Sequence, residues 1–494
     1  MISSVQQIHE LVEQIRSQKA GEAEKSKRFR QLLEANQFLE RQLEAPDASD
    51  ECKVLHAKIA SLMEDWDQAI IRWSRVQKEV TGSRDRAFLN LSIAYRKTSS
   101  FARARAALKK IKDGKVSKSA IREEIKKIGK LENEFAGRIL GARAVEVIGS
   151  DKATPESISL LEGALHMMGW DPARSRIVKR LTMQLLEGDC GVKPSNKLKA
   201  PPIVFFAGFG WSGSGAFHDY FKQSPQIATP VGSAEIALFE GHWGAHKVIK
   251  TVSTDWSRWK EAMINFILQP VFGVSGPQTG TPTKWERKVL VTHYKTAELC
   301  EALADACLEL YGRVRDAAAK ESKHELEEAF RRFFARVFAL RIGRGKVGMM
   351  SNCITGAKAH LARLVENSRT FVVFRDPRDQ YVAQVYEYSG RQHVSVDGFI
   401  QKVAKRMARF EKIVASGKAP VIEKVQFEHF VQSAEYRREI GAKMGIDVSR
   451  IAEGEGAYHP RDSLQNIGIH ASYAHQEEIQ RIRQELPGLI LSES

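Results

Sequence analysis

Through the first 195 residues, apolar side chains recur at steps of three and four, and glycine and proline are scarce. That period is the helical one. Ala69, Ile70, Trp73 and Val76 make one such stripe, and Ala104, Ala107, Leu108 and Ile111 make another. Further helices are expected over 131–148, 155–168 and 172–187. The stretch Gly188 to Pro202 (GDCGVKPSNKLKAPP) is polar and carries both helix breakers, so it reads as a linker. Beyond it the texture changes. Short apolar runs, Ile203–Ala207, Val289–Thr292, Val347–Ser351, Phe371–Phe374 and Val421–Val425, alternate with helical patterns. Runs of this kind predict a parallel sheet covered on both faces. Two long stripes interrupt them, Leu299 to Val314 and Leu326 to Leu340, and predict a helical hairpin inserted over 297–341. The pattern thus gives an all-α region over 1–195 and an α/β domain over 200–494.

Within the helical region, Trp66-Asp67-Gln68-Ala69 is followed 35 residues later by Phe101-Ala102-Arg103-Ala104. Each opens an amphipathic helix, and Asn90-Leu91 and Ala94-Tyr95 lie on the helix before the second. The period and the small–aromatic pattern resemble tetratricopeptide repeats, around 50–118. That resemblance implies paired helices that bury a shared face by stacking.

The chain has 494 residues, of which 43% are apolar, enough for two or three domains. No run of about 18 apolar residues occurs, so no membrane-spanning helix is expected. The opening MISSVQQIHELVEQIRSQ lacks a basic start and an apolar stretch, and reads as an amphipathic helix, not a secretory signal. Five widely spaced cysteines with no CxxC support neither a disulfide framework nor a zinc site, and point to a reducing, cytoplasmic compartment. The net charge is +16, and residues 101–130 alone hold eleven basic and three acidic side chains. Such a face suits a protein partner or an anionic surface, including the inner face of a membrane. Nucleic acid is disfavoured, because aromatics do not interleave with the basic residues.

The candidate chemistry begins where the first apolar run ends. After Ala207 comes Gly208-Phe209-Gly210-Trp211-Ser212-Gly213-Ser214-Gly215, then Ala216, Phe217, Tyr220 and Phe221 at helical spacing. A strand, a glycine-rich loop and a helix N-terminus together make an anion cradle. Ser212 and Ser214 add hydroxyls. Gly208 and Gly213 have the spacing of a nucleoside-triphosphate loop, but that loop continues with Lys and then Ser or Thr. Here Ser214 and Gly215 stand instead. The lysine for the outer phosphates and the hydroxyl for magnesium are displaced, which argues against a kinase and for a single 5′-phosphate group.

A second anchor follows the run Thr370–Phe374, in Arg375-Asp376-Pro377-Arg378-Asp379. Asp376 suits a helix N-cap, Pro377 the first turn and Asp379 the helix dipole. Arg375 is thereby fixed at the carboxyl edge of the sheet, where open α/β folds bind ligands. With both segments in place, the region 203–490 resembles the sulfotransferases that use 3′-phosphoadenosine 5′-phosphosulfate (PAPS). VIEKVQFEHF (421–430) is similar to that family's late strand, and SLQNIG (463–468) to its cofactor-covering segment. The resemblance implies a P-loop-type three-layer α/β/α domain. It also implies PAPS as sulfuryl donor without a metal, held by Gly210, Trp211, Ser212, Gly213, Ser214 and Gly215 at the 5′ end. Arg375 would hold the 3′-phosphate, with Gln384 nearby.

Two positions depart from the family. Trp211 stands where a cation usually assists the leaving phosphate, and Ala383 where a serine follows the arginine. In-line transfer needs positioning and charge stabilisation, together with a base for the acceptor hydroxyl or amine. Glu235 and His293 are the candidates for that base, and Asn352 is a candidate substrate contact. The resemblance implies a carbohydrate or glycoconjugate acceptor. A binding or scaffold protein that kept the fold, and a P-loop kinase-like enzyme, are the alternatives.

Overall fold

The computed structural model describes residues 4–17, 22–45, 48–112, 116–149, 154–188, 200–229, 238–274, 290–294, 296–343, 345–388, 395–417, 421–451, 463–473 and 475–491. Two compact units share the chain: 1–133 with 381–396, and 134–380 with 397–494.

The first unit contains α1 (Val5–Ser17), α2 (Glu22–Leu43), α3 (Asp50–Leu62), α4 (Trp66–Glu79), α5 (Arg84–Lys97), α6 (Phe101–Leu108) and the start of α7 (Lys118–Gly149). Neighbours in sequence from α2 to α6 pack on one another. Their shared core holds Ala69, Trp73, Val76, Phe88, Leu91 and Ala107. Buried Trp73 donates from Nε1 to Ser61 Oγ at 2.9 Å, which satisfies its one polar group. The joints recur with the 35-residue period. Glu64 and Ser99 both take left-handed φ, 57° and 59°. In each joint the next N–H closes the turn, Asp65 onto Ala60 O at 3.0 Å and Ser100 onto Tyr95 O at 2.7 Å. Gly169, 70 residues beyond Ser99, repeats that turn (φ 71°), with Trp170 N–H on Leu165 O at 3.0 Å.

The second unit opens with the rest of α7, then α8 (Pro155–Met167) and α9 (Pro172–Glu187). Its compact boundary therefore falls inside α7 and not at the 188–202 linker. The reason is burial: Val145, Ile148, Leu165, Val178 and Leu181 belong to the same apolar cluster as the α/β core. Then come β1 (Ile203–Ala207), α10 (Ser214–Phe221), β2 (Ile227–Ala228), α11 (Ala245–Thr254), α12 (Trp259–Phe266), α13 (Ala297–Ala319), α14 (Lys323–Ala339), β3 (Val347–Ser351) and β4 (Ser368–Phe374). Next are α15 (Pro377–Tyr388), α16 (Val396–Ala415), β5 (Ile422–Gln426), α17 (Phe427–Gln432), α18 (Ala434–Met444) and α19 (Gln476–Glu485). The helices α13 and α14 start where hydroxyl caps stand, Thr296 accepting from Leu299 N–H and Ser322 from Glu325 N–H.

The five strands form one parallel sheet in the order β2-β3-β1-β4-β5. Alternation explains how β1 is buried throughout. Ile203, Phe205 and Ala207 enter one core, with α7 to α9 and α11 to α14, while Val204 and Phe206 enter the other, with α10, α17 and α18. Phe206 stacks on Phe221 and Phe371 at 5.7 and 5.4 Å, which ties α10 and β4 to β1.

One expected strand is corrected. Leu290–His293 is a 3₁₀ turn, and residues 275–289 lie outside those described, so the run Val289–Thr292 gives no strand among the described residues. The short strand β2 takes the sheet edge instead, and a two-residue strand is below what an apolar run can reveal. Among the described residues no helix is long and apolar enough to cross a membrane. Cys52, Cys300, Cys307 and Cys353 are buried and unbridged, and burial pushes the Cys300 thiol up to about 11.

Candidate functional site

The glycine-rich loop leaves the central strand β1, with β3 on one side and β4 on the other. Gly210, Trp211 and Gly213 all adopt left-handed φ, at 85°, 52° and 84°. A run of this kind bends the backbone sharply between β1 and the helix that follows. Four consecutive carbonyls are each held by a donor from elsewhere in the sequence. Gly208 O accepts from Gly356 N–H at 3.0 Å, Phe209 O from the Arg406 guanidinium, Gly210 O from the Gln380 amide, and Trp211 O from Arg375 Nη1 at 3.1 Å. Ser212 is buried and braces the loop from within, its Oγ accepting from Phe209 N–H at 3.3 Å.

The loop feeds α10, whose first turn carries Ser214 and Gly215. A Cβ built on Gly215 would meet nothing within 4 Å. A Cβ on Gly213 would lie 2.2 Å from the Phe427 ring, so that position must stay glycine. Ser214 Oγ donates to Asn352 Oδ1 at 2.9 Å. Asn352 follows β3 with a left-handed φ of 54°, and its N–H returns to Phe206 O at 3.0 Å. The side chain expected at the substrate is therefore also a strut between β3 and the loop helix.

Arg375 is 9% exposed. Besides Trp211 O, it donates from Nη2 to Asn466 O at 2.6 Å and stands over the Phe427 ring at 5.1 Å. The loop, the Arg-Asp-Pro turn, the start of α17 and the SLQNIG segment thus meet at one guanidinium. Asp379 clasps the last of these, accepting from Gly468 N–H at 2.7 Å and from the His470 backbone and ring at 3.1 and 2.6 Å. Burial works against its charge, yet the His470 and Gly468 hydrogen bonds and the Arg375 charge hold its carboxyl below the usual 3.8. Arg378 doubles back on Asp376 at 2.9 Å, fixing the turn. Glu428 accepts from Asp376 N–H at 2.9 Å; burial raises its pKa, more than that bond and the Gln426 amide lower it. Beside Arg375 lies a cavity of about 160 Å³ lined by Phe209, Phe374, Gln380, Gln426 and the C-terminal residues 488–491. Gln384 is buried one turn beyond Gln380 on α15.

Glu235 lies outside the described residues. His293 closes a 3₁₀ turn instead of a strand, and its side chain is outside the described set. On the β3 side of the loop stands a group that the sequence reading passed over. Glu240 accepts from the N–H and hydroxyl of Thr355 (Oγ1 at 3.1 Å) and pairs with Lys358 Nζ at 3.3 Å. Thr355 immediately precedes Gly356, which holds the loop. His246 and His360 face each other at 6.2 Å beside this pair. Burial first, then Arg363, His246 and Lys358, hold His360 down at about 4. The one signal was the polar residues Asn352, Thr355 and Lys358 close after a strand. Arg406, near mid-helix in α16, carried none.

Among the described residues no cluster of three or more His, Cys, Asp or Glu could hold a metal ion. No protein-family model matches the chain. No curated protein matches it either. Among solved structures, the crystal structure of sulfotransferase STF9 from Mycobacterium avium is matched over 71% of this chain and 94% of that one, at 10% identity and a TM-score of 0.28.

Proposed function

We propose that the α/β unit is a sulfotransferase that moves a sulfuryl group from PAPS to a hydroxyl (or amine) of a carbohydrate or glycoconjugate. The observation that carries this reading is the 3.1 Å contact between Arg375 and the Trp211 carbonyl. It joins a phosphate-cradling loop to a buried arginine 164 residues away, the two anchors that a nucleotide phosphorylated at both 5′ and 3′ positions requires. The bound donor supplies the activated sulfuryl group. Loop N–H groups from Gly210 to Gly215 bind and orient its 5′ end, aided by the positive end of α10. Arg375 exchanges carbonyl oxygens for those of a 3′-phosphate, a charge-assisted replacement. The 160 Å³ cavity, with aromatic walls and two amides, suits a planar purine.

Trp211 displaces the cation that the resemblance expects in the loop, and Arg406 meets the need from outside. Its guanidinium sits on the Phe209 carbonyl, and its Nη1 lies 3.6 Å from where a Gly210 Cβ would stand. There it offsets charge on the departing phosphate. Glu235 and His293 remain the proposed bases, and Glu240 adds a carboxylate placed beside the loop by Thr355. The helical unit, with its 35-residue recurrence, is proposed as a tetratricopeptide-like stack that meets a partner or an anionic surface.

Titration calorimetry tests the reading. 3′-Phosphoadenosine 5′-phosphate should bind, and ATP with magnesium should bind far more weakly. Binding of ATP with magnesium alone would overturn it in favour of a kinase-like enzyme. The capture of Arg375 by two carbonyls favours one second reading, a nucleotide-binding scaffold. Binding of the 3′-phosphorylated nucleotide without turnover of any sugar acceptor would select it.

A further inference from the structure

The helical unit holds a cavity that the transfer chemistry does not use. It measures about 570 Å³, within the range of small-molecule pockets. Apolar side chains supply much of its wall, among them Trp73, Leu89 and Ile93. Three cations also line it, Arg16, Lys58 and Arg86, and among the described residues no carboxylate does. Arg16 pairs with exposed Glu13 at 3.3 Å. Lys58 is half-buried on α3, and among the described residues Glu13 is the carboxylate whose charge acts on it. Burial, then the charges of Arg16 and Arg86, hold its pKa below the ordinary value. An ammonium kept among cations and apolar walls is poorly compensated, and an anion delivered there would relieve it. The anion must also bring an apolar body, or the rest of the wall stays wet.

We propose that this cavity binds an amphiphilic anion, a single carboxylate or sulfate or phosphate ester on an aliphatic body, with Lys58 and Arg86 on the head group and Trp73, Leu89 and Ile93 along the tail. The occupant is a monomeric amphiphile and not a membrane surface, because the site is a recess of small-molecule size among α1, α3, α4, α5 and the start of α7. The inference stands on the helical unit alone and is independent of the sulfotransferase reading.

Calorimetry of the full chain with dodecanoate, kept below its micelle concentration, tests it. One site per chain is expected. Dodecanol and dodecyltrimethylammonium should bind at least tenfold more weakly, and so should acetate. Lys58→Met and Arg86→Gln should each weaken dodecanoate at least tenfold. Unchanged circular dichroism and melting would show that both variants fold, and Arg86, being exposed, is the safer of the two. Several outcomes would overturn the proposal: no saturable binding of dodecanoate, equal binding of the cationic amphiphile, or unchanged affinity in both folded variants. Binding of anionic phosphatidylserine vesicles without binding of monomeric dodecanoate would also overturn it, in favour of a surface contact. Binding of 3′-phosphoadenosine 5′-phosphate should be the same in both variants, which separates this result from the fate of the α/β site.

Discussion

At the scale of single residues, the loop is governed by which positions tolerate a side chain. Gly213 combines left-handed φ with the Phe427 ring 2.2 Å from any Cβ. Gly213→Ala should cost roughly 1–3 kcal/mol of stability, read from urea unfolding. Gly215→Ala should leave stability unchanged or slightly raised, because nothing lies within 4 Å of the new methyl, yet weaken nucleotide binding by crowding the entrance to α10. Asp379 carries a pH dependence whose sign can be worked out. Its folded pKa lies below its ordinary 3.8, so the stability it contributes is present above that value. It is lost as the pH falls through the lower folded value. The stability gap between wild type and Asp379→Asn should be full at about pH 6 and close progressively in acid. A gap that stays constant down to pH 2 would show that the carboxylate charge does not hold the 468–470 segment.

At the scale of elements, helix pairs and strand registers follow from apolar spacing, while their polar ties do not. Arg96 on α5 grips Glu124 on α7 with contacts of 2.6 and 3.2 Å, both side chains being largely buried. Arg96→Ala should destabilise the helical unit by about 3 kcal/mol, because it strands a buried carboxylate. The double change with Glu124→Leu should recover much of that loss, and a thermal melt of the two variants compares them. The helices were legible because Ala69, Trp73 and Val76, or Leu326, Phe330 and Phe333, mark a face by period alone. The strand expected at Val289–Thr292 failed because Leu290, Val291 and Thr292 fit a 3₁₀ turn as well as a strand. Periodicity cannot arbitrate over so short a run.

At the scale of the whole molecule, ligand binding should appear as stability. A ligand that binds only the folded chain adds about 2.7 kcal/mol at a hundred times its Kd. 3′-Phosphoadenosine 5′-phosphate should therefore raise the melting temperature of the wild type. Arg375→Ala should weaken that binding by about 2–4 kcal/mol and remove most of the shift at the same concentration. An undiminished shift in the variant would exclude Arg375 as the 3′-phosphate anchor. The sequence by itself determined the helical period, the alternating runs that bury a strand on both faces, and the glycines and prolines that shape the loop and the arginine turn. These are local properties, set within a few residues by backbone sterics and apolar spacing. Tertiary structure alone decided that the carbonyls of 208–211 are held by Gly356, Arg406, Gln380 and Arg375, and that Glu240 and Lys358 meet beside them. It also decided that the compact units part inside α7. Each of these joins groups far apart in the chain, and no local pattern records which distant donor reaches which carbonyl.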